Sequence, residues 1–134
     1  MTAGYSGTPL PKKLGIKEGS RIVLLGAPAN FASVLGKLPH GVTTRSRASG
    51  EADVIVLFAT KFSKLVKEFA KAMQLMPPTS GMLWVAWPKK AAKMDTDLDE
   101  NIIRGHGLSL GVVDTKVCAI DETWSGLRFS RRRA

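Results

Sequence analysis

Several features that would narrow the function of this chain of 134 residues are missing from its sequence. It has a single cysteine, Cys118, so no disulfide can form within the chain. Its apolar runs are short, far below the roughly 20 residues that a membrane-spanning helix needs. The first residues also lack the positive-then-apolar order of a signal peptide. Together these absences predict a soluble cytoplasmic protein that has no membrane partner and a buried, structural Cys118.

Acidic residues are scarce as well. The chain has 11 Asp and Glu against 20 Lys and Arg, a net charge of +9. Such an excess attracts phosphate, so nucleic acid is one candidate partner. The basic residues are nevertheless spread along the chain, and no helix-turn-helix, RNA-recognition or zinc-finger pattern is present. A role as a nucleic-acid accessory protein is therefore the weakest of three hypotheses.

Three short apolar segments are typical of buried parallel strands. They are Arg21 to Leu25, Val54 to Ala59 and Met82 to Trp87. Trp84 and Trp87 are at odd spacing in the third strand and so should face opposite sides of the sheet. Trp84 is expected in the core, whereas Trp87, next to Pro88, is expected to line the edge.

Helical patterns separate these strands. Thr8 is expected to cap a short helix that Gly15 ends, and Asn30 to cap a brief second helix. The longest helix carries one apolar stripe, which we expect to be core. The stripe consists of Phe62, Leu65, Val66, Phe69, Met73 and Met76. Thr96 to Asp99 resembles a capping box for a fourth helix.

Two closing strands, Val112 to Ile120 and Leu127 to Arg131, are joined too closely to be parallel neighbours. Residues 121–126 between them therefore predict an antiparallel hairpin. The whole pattern predicts one domain with a small Rossmann-like, three-layer α/β sandwich fold. Its sheet is mostly parallel, with a C-terminal antiparallel hairpin. Residues 1–16 form a leader with a short helix, and residues 130–134 a mobile basic tail.

The polar segment Val42 to Arg47 is β-prone but hard to place. The link from Arg47 to Asp53 is too short for a crossover helix between parallel strands, which takes a dozen residues or more. Either a helix and a strand are missing from the usual unit, or this strand has a different orientation. The sequence does not decide between these alternatives.

In open α/β sheets, ligands bind beyond the carboxyl ends of the parallel strands. We therefore expect a ligand site in the loops at that edge. The candidate residues there are Gly26, Pro28, Thr60, Lys61, Trp87, Lys89, Lys90, Asp121, Glu122, Trp124 and Ser125. Tyr5 joins them if the N-terminal leader folds across the edge; a flexible leader is the equal alternative.

Nucleotide-binding motifs are absent from this edge. The loop after the first strand has Gly26 alone instead of Gly-x-Gly-x-x-Gly, and Pro28 has no amide hydrogen to offer. Arg45 and Arg47 stand where a carboxylate would hold a ribose. The Walker pattern is missing too. The sequence thus predicts no cofactor, and weakens the case for NAD, S-adenosylmethionine or ATP.

No catalytic or metal site is predicted either. Ser125 has no evident base, and His40 and His106 are expected to be solvent-facing turn residues. Asp95, Asp97, Asp99 and Glu100 form an acidic cluster that helix capping explains better than a metal does.

Several segments resemble an uncharacterised bacterial family, domain-of-unknown-function family 3052. They are residues 4–10, 12–16, 24–28, 83–90 and 116–128, which extend over nearly the whole chain. The resemblance implies a small soluble bacterial protein whose layout is similar to a shortened methyltransferase-type Rossmann fold. It implies no catalytic residues.

The leading functional hypothesis is a non-catalytic or remnant-enzyme binding module. It would hold an anionic small molecule or an acidic protein segment at the carboxyl edge. Lys61, Lys89 and Lys90 would supply charge there, Trp87 and Trp124 an apolar wall, and Asp121 or Glu122 would orient the ligand. The alternative is a small transferase of shortened methyltransferase type.

Overall fold

A computed structural model describes residues 7–132. Its strands are β1 (Arg21–Leu25), β2 (Thr43–Arg45), β3 (Val54–Phe58), β4 (Met82–Pro88), β5 (Val112–Ala119) and β6 (Trp124–Arg131). Its α-helices are α1 (Leu10–Lys13), α2 (Phe31–Leu35), α3 (Phe62–Gln74) and α4 (Glu100–Ser109), and a 3₁₀ turn spans Lys90–Ala92.

The six strands form one sheet in the order β2-β1-β3-β4-β6-β5. Strands β1 to β4 are parallel, whereas β6 is antiparallel to both β4 and β5. Strand β5 therefore runs with the parallel strands and brings its carboxyl end to the same edge. This confirms the predicted mostly parallel α/β fold with a C-terminal antiparallel hairpin.

Side chains alternate between two cores, one on each face of the sheet. Helices α3 and α4 cover one face, where Leu65, Phe69 and Ile103 are fully buried. Helices α1 and α2 cover the other, where Leu14 and Phe31 pack with residues of β1, β3 and β4. The two faces are called the α3/α4 face and the α1/α2 face below. They give the three layers that the sequence predicts.

Strand β2 lies parallel to β1, so the alternative of a different orientation is wrong. In the described chain, residues 46–53 pass from β2 to β3 without a helix. The Arg45 guanidinium braces this link by donating to the carbonyls of Gly50 and Glu51, both at 3.0 Å. At the far end of the link, Asp53 accepts from the Arg21 side chain at 3.0 Å. What the usual unit has lost here is its crossover helix.

Two helix starts differ from the predicted ones. Pro9, not Thr8, is the N-cap residue of α1, and that helix has no side-chain cap. Asp99, not Thr96, caps α4 and accepts from the amide of Ile102 at 2.8 Å. Asn30 does occupy the N-cap position of α2, but its side chain makes no capping bond. Several neighbouring side chains can cap the same helix, so the exact starts of the helices were the hardest feature to predict from the sequence.

The α3 stripe is only partly core. Leu65 and Phe69 are fully buried, whereas Phe62 and Val66 are 40% and 44% exposed. His106 is also misplaced by the prediction: it lies within α4, half-buried, with its ring edge-on to Phe62 and Phe69. Its solvent-facing position is therefore wrong, whereas His40 is exposed as expected.

Two residues of the predicted mobile tail are ordered in the sheet. Ser130 and Arg131 belong to β6. The Arg131 guanidinium donates to the carbonyls of Met73, Met76 and Pro77 at 2.9 to 3.1 Å. It thereby ties β6 to the C-terminal end of α3 and to the residues that follow that helix.

Candidate functional site at the carboxyl edge of the sheet

The predicted site residues do lie at the carboxyl edge, but they do not form one site. The turn between β5 and β6 is residues 120–123, because Trp124 and Ser125 are already strand residues. Trp87 packs in the α3/α4 core and Trp124 in the α1/α2 core. Since the two indoles lie on opposite faces of the sheet, they cannot form one wall around a ligand.

At the end of β3, the groups that were predicted to bind a ligand already bond to other residues of the chain. Asp97 accepts from the amide of Phe62 at 2.7 Å, which is the first amide of α3. The Thr96 hydroxyl donates to the carbonyl of Thr60 at 2.6 Å. Lys61 pairs with Asp95 at 2.8 Å, and this hydrogen bond raises the pKa of the Lys61 ammonium. An anion arriving here would have to displace carboxylates of the chain.

At the end of β1, Gly26 adopts a left-handed conformation with φ of +69°. A Cβ there would lie 3.1 Å from the Phe58 carbonyl oxygen and 3.3 Å from the Lys64 ammonium nitrogen. Lys64 of α3 therefore reaches over the loop that follows β1. Pro28 lies beside it and accepts, through its carbonyl, from the amide of Phe31.

At the end of β4, Trp87, Lys89 and Lys90 line a cavity of about 520 Å³. The start of α4 forms its other side, with Asp99, Glu100 and Asn101. The Lys89 amide donates to the Thr123 carbonyl at 2.8 Å, which ties this loop to the β5–β6 turn. The cavity thus sets two lysines against two carboxylates of the same chain.

A larger cleft, of about 970 Å³, lies on the α1/α2 face and includes the β5–β6 turn. We call it the α1/α2 cleft. Its apolar lining comes from α1, α2 and the segments next to them, namely Leu10, Ile16, Val34, Leu35, Leu38 and Ile120. Its polar lining includes Lys12, Lys37, Asn30, Ser33, Asp121, Glu122 and Thr123. The lining is thus divided about equally between apolar and polar residues, and a cleft of this size is typical of a small-molecule site.

Two long-range hydrogen bonds fix the α1 wall of this cleft. The Trp84 indole is fully buried and donates to the Leu14 carbonyl at 3.0 Å. Lys13 donates to the Ala119 carbonyl at 2.6 Å, at the end of β5. Both bonds join α1 to central or C-terminal strands, so the cleft is held open by the fold itself. Trp84 confirms its predicted place in the core.

The charged side chains around the cleft differ in whether other residues of the chain already bond to them. Asp121 accepts from the amides of Thr123 and Trp124, both at 2.8 Å, so its carboxylate shapes the turn. Lys12 and Lys37 are exposed, and neither forms an ion pair with another described residue. Glu122 is exposed as well. The cleft therefore offers two cations above an apolar lining.

Sequence reasoning missed most of this cleft. Of the predicted site residues, only Asp121 and Glu122 line it. The lysines at positions 12 and 37 looked like ordinary surface charges, because nothing local connects α1 to α2. Only the resemblance over residues 12–16 pointed toward the first of them. Tyr5, predicted as an optional site residue, lies outside the described residues.

The remaining candidates for chemistry are weak nucleophiles or bases. Cys118 is half-buried in β5, and burial raises the pKa of its thiol, which disfavours the reactive thiolate. Burial lowers the pKa of His106. Among residues 7–132, His, Cys, Asp and Glu form no group of three or more that could hold a metal ion. None of the helices in that range is both long and apolar enough to cross a membrane.

Solved structures that resemble this chain in fold include methyltransferases. A SAM dependent methyltransferase from Aquifex aeolicus superposes with a TM-score of 0.60 at 15% identity, over 90% of this chain and 87% of that chain. The N-methyltransferase NodS from Bradyrhizobium japonicum, in complex with S-adenosyl-L-homocysteine, gives 0.59 at 11% identity, over 96% and 90%. Fibrillarin from Aeropyrum pernix, with natively bound S-adenosyl-L-methionine, gives 0.56 at 14% identity, over 94% and 70%.

Neither a protein-family model nor a curated protein sequence matches the chain. The structural likeness, at identities this low, defines the fold alone. This chain has a methyltransferase-like α/β fold with a six-stranded mixed sheet.

Proposed function

We propose that this protein is a non-catalytic binding module that uses the α1/α2 cleft to hold a small molecule with an apolar body and an anionic group. The observation that carries the proposal is the cleft itself, about 970 Å³ with an apolar lining and exposed Lys12 and Lys37 at its border. Burying an apolar ligand there contributes about 0.8 kcal/mol per methylene group. A solvent-exposed lysine that pairs with the anionic end contributes about 0.2 to 1 kcal/mol more.

Binding fits the cleft better than catalysis does. The Asp121 carboxylate is engaged with two backbone amides, so it is poorly placed to act as a base. Ser33 and Thr123 carry hydroxyls, but among residues 7–132 no imidazole lines the cleft to activate them. The functional groups that face the cleft recognise and orient a ligand, and a nucleophile with its base is not among them.

The proposal can be tested with decanoate, which has an apolar tail and one carboxylate. Val34→Trp places a large side chain in the cleft, and its matched control is Val117→Trp on the exposed side of β5. Val117 is 46% exposed and lies outside the cleft. We expect calorimetry to show that decanoate binds the original protein and Val117→Trp alike, and Val34→Trp at least about tenfold more weakly.

The lysines give a second, independent arm. Lys12→Ala combined with Lys37→Ala should weaken decanoate binding by about three- to tenfold, and should leave decanol binding unchanged because decanol has no charge. Equal decanoate affinity in a folded Val34→Trp protein would refute the proposal. So would lysine variants that lose decanoate and decanol equally.

The alternative is a small transferase of shortened methyltransferase type, and the observation in its favour is the fold likeness. Three observations count against it: Lys64 reaches over Gly26, Asp97 occupies the first amide of α3, and Arg45 braces a loop where a ribose carboxylate is needed. Titration calorimetry with S-adenosylmethionine separates the two hypotheses. Binding heat at micromolar affinity would favour the transferase, and no heat would favour the module.

Two further parts of the proposal concern family and partners. We infer that the chain belongs to domain-of-unknown-function family 3052, on the strength of the segments at residues 4–10, 12–16, 24–28, 83–90 and 116–128. Nucleic acid is the weaker partner, supported only by the net charge of +9. A salt titration distinguishes it, because binding to phosphates must weaken steeply as salt rises.

A further inference from the structure

The two C-terminal strands bring two cations side by side on the α1/α2 face. Lys116 of β5 and Arg128 of β6 are directly opposite each other in the antiparallel register. Residues in such positions share a face of the sheet, with their Cβ atoms about 4.5 to 5.5 Å apart. Arg128 is also opposite Trp84 of β4, and its guanidinium carbon lies 5.8 Å from the centroid of the Trp84 ring. Because Trp84 packs in the α1/α2 core, both cations lie on that face.

A β-bulge in β5 produces this arrangement. The register shifts between Asp114 and Lys116, so that Thr115 is the additional residue. Asp114 lies on the α3/α4 face, where Arg104 of α4 donates to its carboxylate at 2.8 Å. In an uninterrupted strand, Lys116 would share the face of Asp114, since residues two apart point the same way. The bulge therefore separates the lysine from this carboxylate and places it beside Arg128.

No carboxylate of the described chain balances the two cations. Among residues 7–132, neither Lys116 nor Arg128 forms an ion pair. Burial raises the pKa of the neighbouring Cys118 thiol, and three nearby cations oppose that increase. They are Lys13, Lys116 and Arg128. Like charges directly opposite each other on a sheet are destabilising, so a bound anion would relieve the repulsion between Lys116 and Arg128.

The polar groups beside this pair are open to solvent. The Arg128 Nε donates to the Thr115 hydroxyl at 2.8 Å, and one Nη atom lies 3.9 Å from the Met82 sulfur. Within residues 7–132 the other Nη atom has no bonded partner. Thr115 and Lys116 are both exposed. Helix α4 covers these two strands on the α3/α4 face, which leaves the opposite face accessible to a ligand.

We propose that Thr115, Lys116 and Arg128, together called the β5/β6 patch, bind the phosphate monoester group of a small molecule. A phosphate monoester carries nearly two negative charges at pH 7, which matches the two cations. The planar fork of an arginine suits phosphate oxygens, and a lysine adds a point charge. None of the three residues lines the α1/α2 cleft. The proposal is therefore independent of the proposed function.

Phenyl phosphate, diethyl phosphate and phenol serve as probes, because they carry about two, one and no negative charges. Each is added to isotopically labelled protein, and the amide NMR signals are followed. Phenyl phosphate should perturb the signals of residues 115–118 and 126–130, whereas phenol should leave them unchanged. It should bind about two- to fivefold more tightly than diethyl phosphate, the difference expected for one more exposed charge interaction. Its affinity should fall as salt rises.

Protein variants locate the site. Lys116→Ala should weaken phenyl phosphate binding about two- to fivefold, whereas the matched control Lys67→Ala, at an exposed lysine of α3, should leave it unchanged. Lys116→Glu places a carboxylate opposite Arg128 and should abolish binding. It should also raise the Tm in phosphate-free buffer, because an opposite-charge pair replaces a like-charge pair. The substituted side chains are exposed, and circular dichroism verifies that the variants are folded.

Three results would overturn the proposal. They are unchanged phenyl phosphate binding by folded Lys116→Ala, equal binding of phenyl phosphate and diethyl phosphate, and an oligothymidylate that binds the β5/β6 patch at least about tenfold more tightly than phenyl phosphate. The last result would identify a nucleic-acid backbone as the occupant of the patch.

Discussion

The two faces of the sheet are covered in different ways, and the difference explains where the cavities lie. On one face, α3 and α4 have 13 and 10 residues. On the other, α1 and α2 have only 4 and 5. At about 1.5 Å per residue, α3 is roughly 20 Å long, close to the length of β4, whereas α1 and α2 are each well under 10 Å. The short helices leave the 970 Å³ cleft uncovered.

The long helices produce the opposite result. They fill their side of the sheet with fully buried residues such as Leu65, Phe69 and Ile103. Some of their apolar side chains, namely Phe62, Val66 and Ile102, remain exposed on the outer side. One face thus has an open cleft and the other a filled core, and the open cleft suits a small molecule.

The largest test of this comparison concerns Trp84, the main anchor of the α1/α2 face. Trp84→Ala should lower the free energy of unfolding by about 3 to 5 kcal/mol, because it empties a fully buried site. Trp84→Phe keeps much of the volume but leaves the Leu14 carbonyl without its donor, and should cost about 1 to 3 kcal/mol. Urea denaturation measures both. A near-zero effect of Trp84→Phe would show that the indole does not hold α1.

The next test concerns the tight packing of the α3/α4 face. Gly107 of α4 approaches β6 so closely that an added Cβ would lie 2.2 Å from a Phe129 ring carbon. Gly107→Ala should therefore lower the free energy of unfolding by about 1 to 3 kcal/mol, despite the better helix propensity of alanine. Gly105→Ala is the matched control, since a Cβ there meets nothing within 4 Å. Thermal melts should show Gly105→Ala unchanged or stabilised, and equal effects at both positions would contradict the close packing.

The smallest expected effect is a pH dependence of the folding stability that arises from His106. Burial lowers the pKa of this imidazole below its ordinary value of 6.5, so the unfolded chain takes up the proton at a higher pH than the folded one. The contribution of His106 to the free energy of unfolding is therefore fully present above pH 6.5. It declines as the pH falls below that value, because the unfolded chain then binds more protons than the folded one. The stability difference between the original protein and His106→Gln should shrink from about pH 8 to about pH 5. A constant difference would show that His106 titrates equally in both states.

The layout of the fold was readable from the sequence because its strands are continuous apolar runs. Trp84 and Trp87 were assigned to opposite faces correctly, since side-chain alternation in a strand depends only on spacing. The antiparallel direction of β6 followed from its tight connection to β5. These are local or nearly local rules.

The errors arise where tertiary contacts override local patterns. Residues 124–126 look like a turn, yet they pair with β4 and β5, and Trp124 packs edge-on against Phe58 at 5.1 Å. Asp97 caps α3 rather than the helix that follows it, across a separation of 35 residues. Nothing in the order of residues 95–100 reveals that choice.

The candidate site was predicted less well than the fold. The carboxyl edge was correct as a location for the candidate residues, but the edge is divided by capping and ion pairs into separate cavities. The α1/α2 cleft depends on how two very short helices sit beside a turn more than 80 residues away, with Lys12 and Asp121 as opposite walls. The sequence of neither helix predicts that arrangement.

The most direct test of the central claim is to map where decanoate binds by its effect on the backbone amide NMR signals of isotopically labelled protein. The account predicts perturbed signals in α1, in α2 and its following loop up to Leu38, and at residues 120–123. The signals of the Trp87 to Lys90 segment and of Phe62 and Val66 should stay unchanged. Perturbations confined to the Trp87 to Lys90 segment, or to Phe62 and Val66, would contradict the claim that the α1/α2 cleft is the small-molecule site.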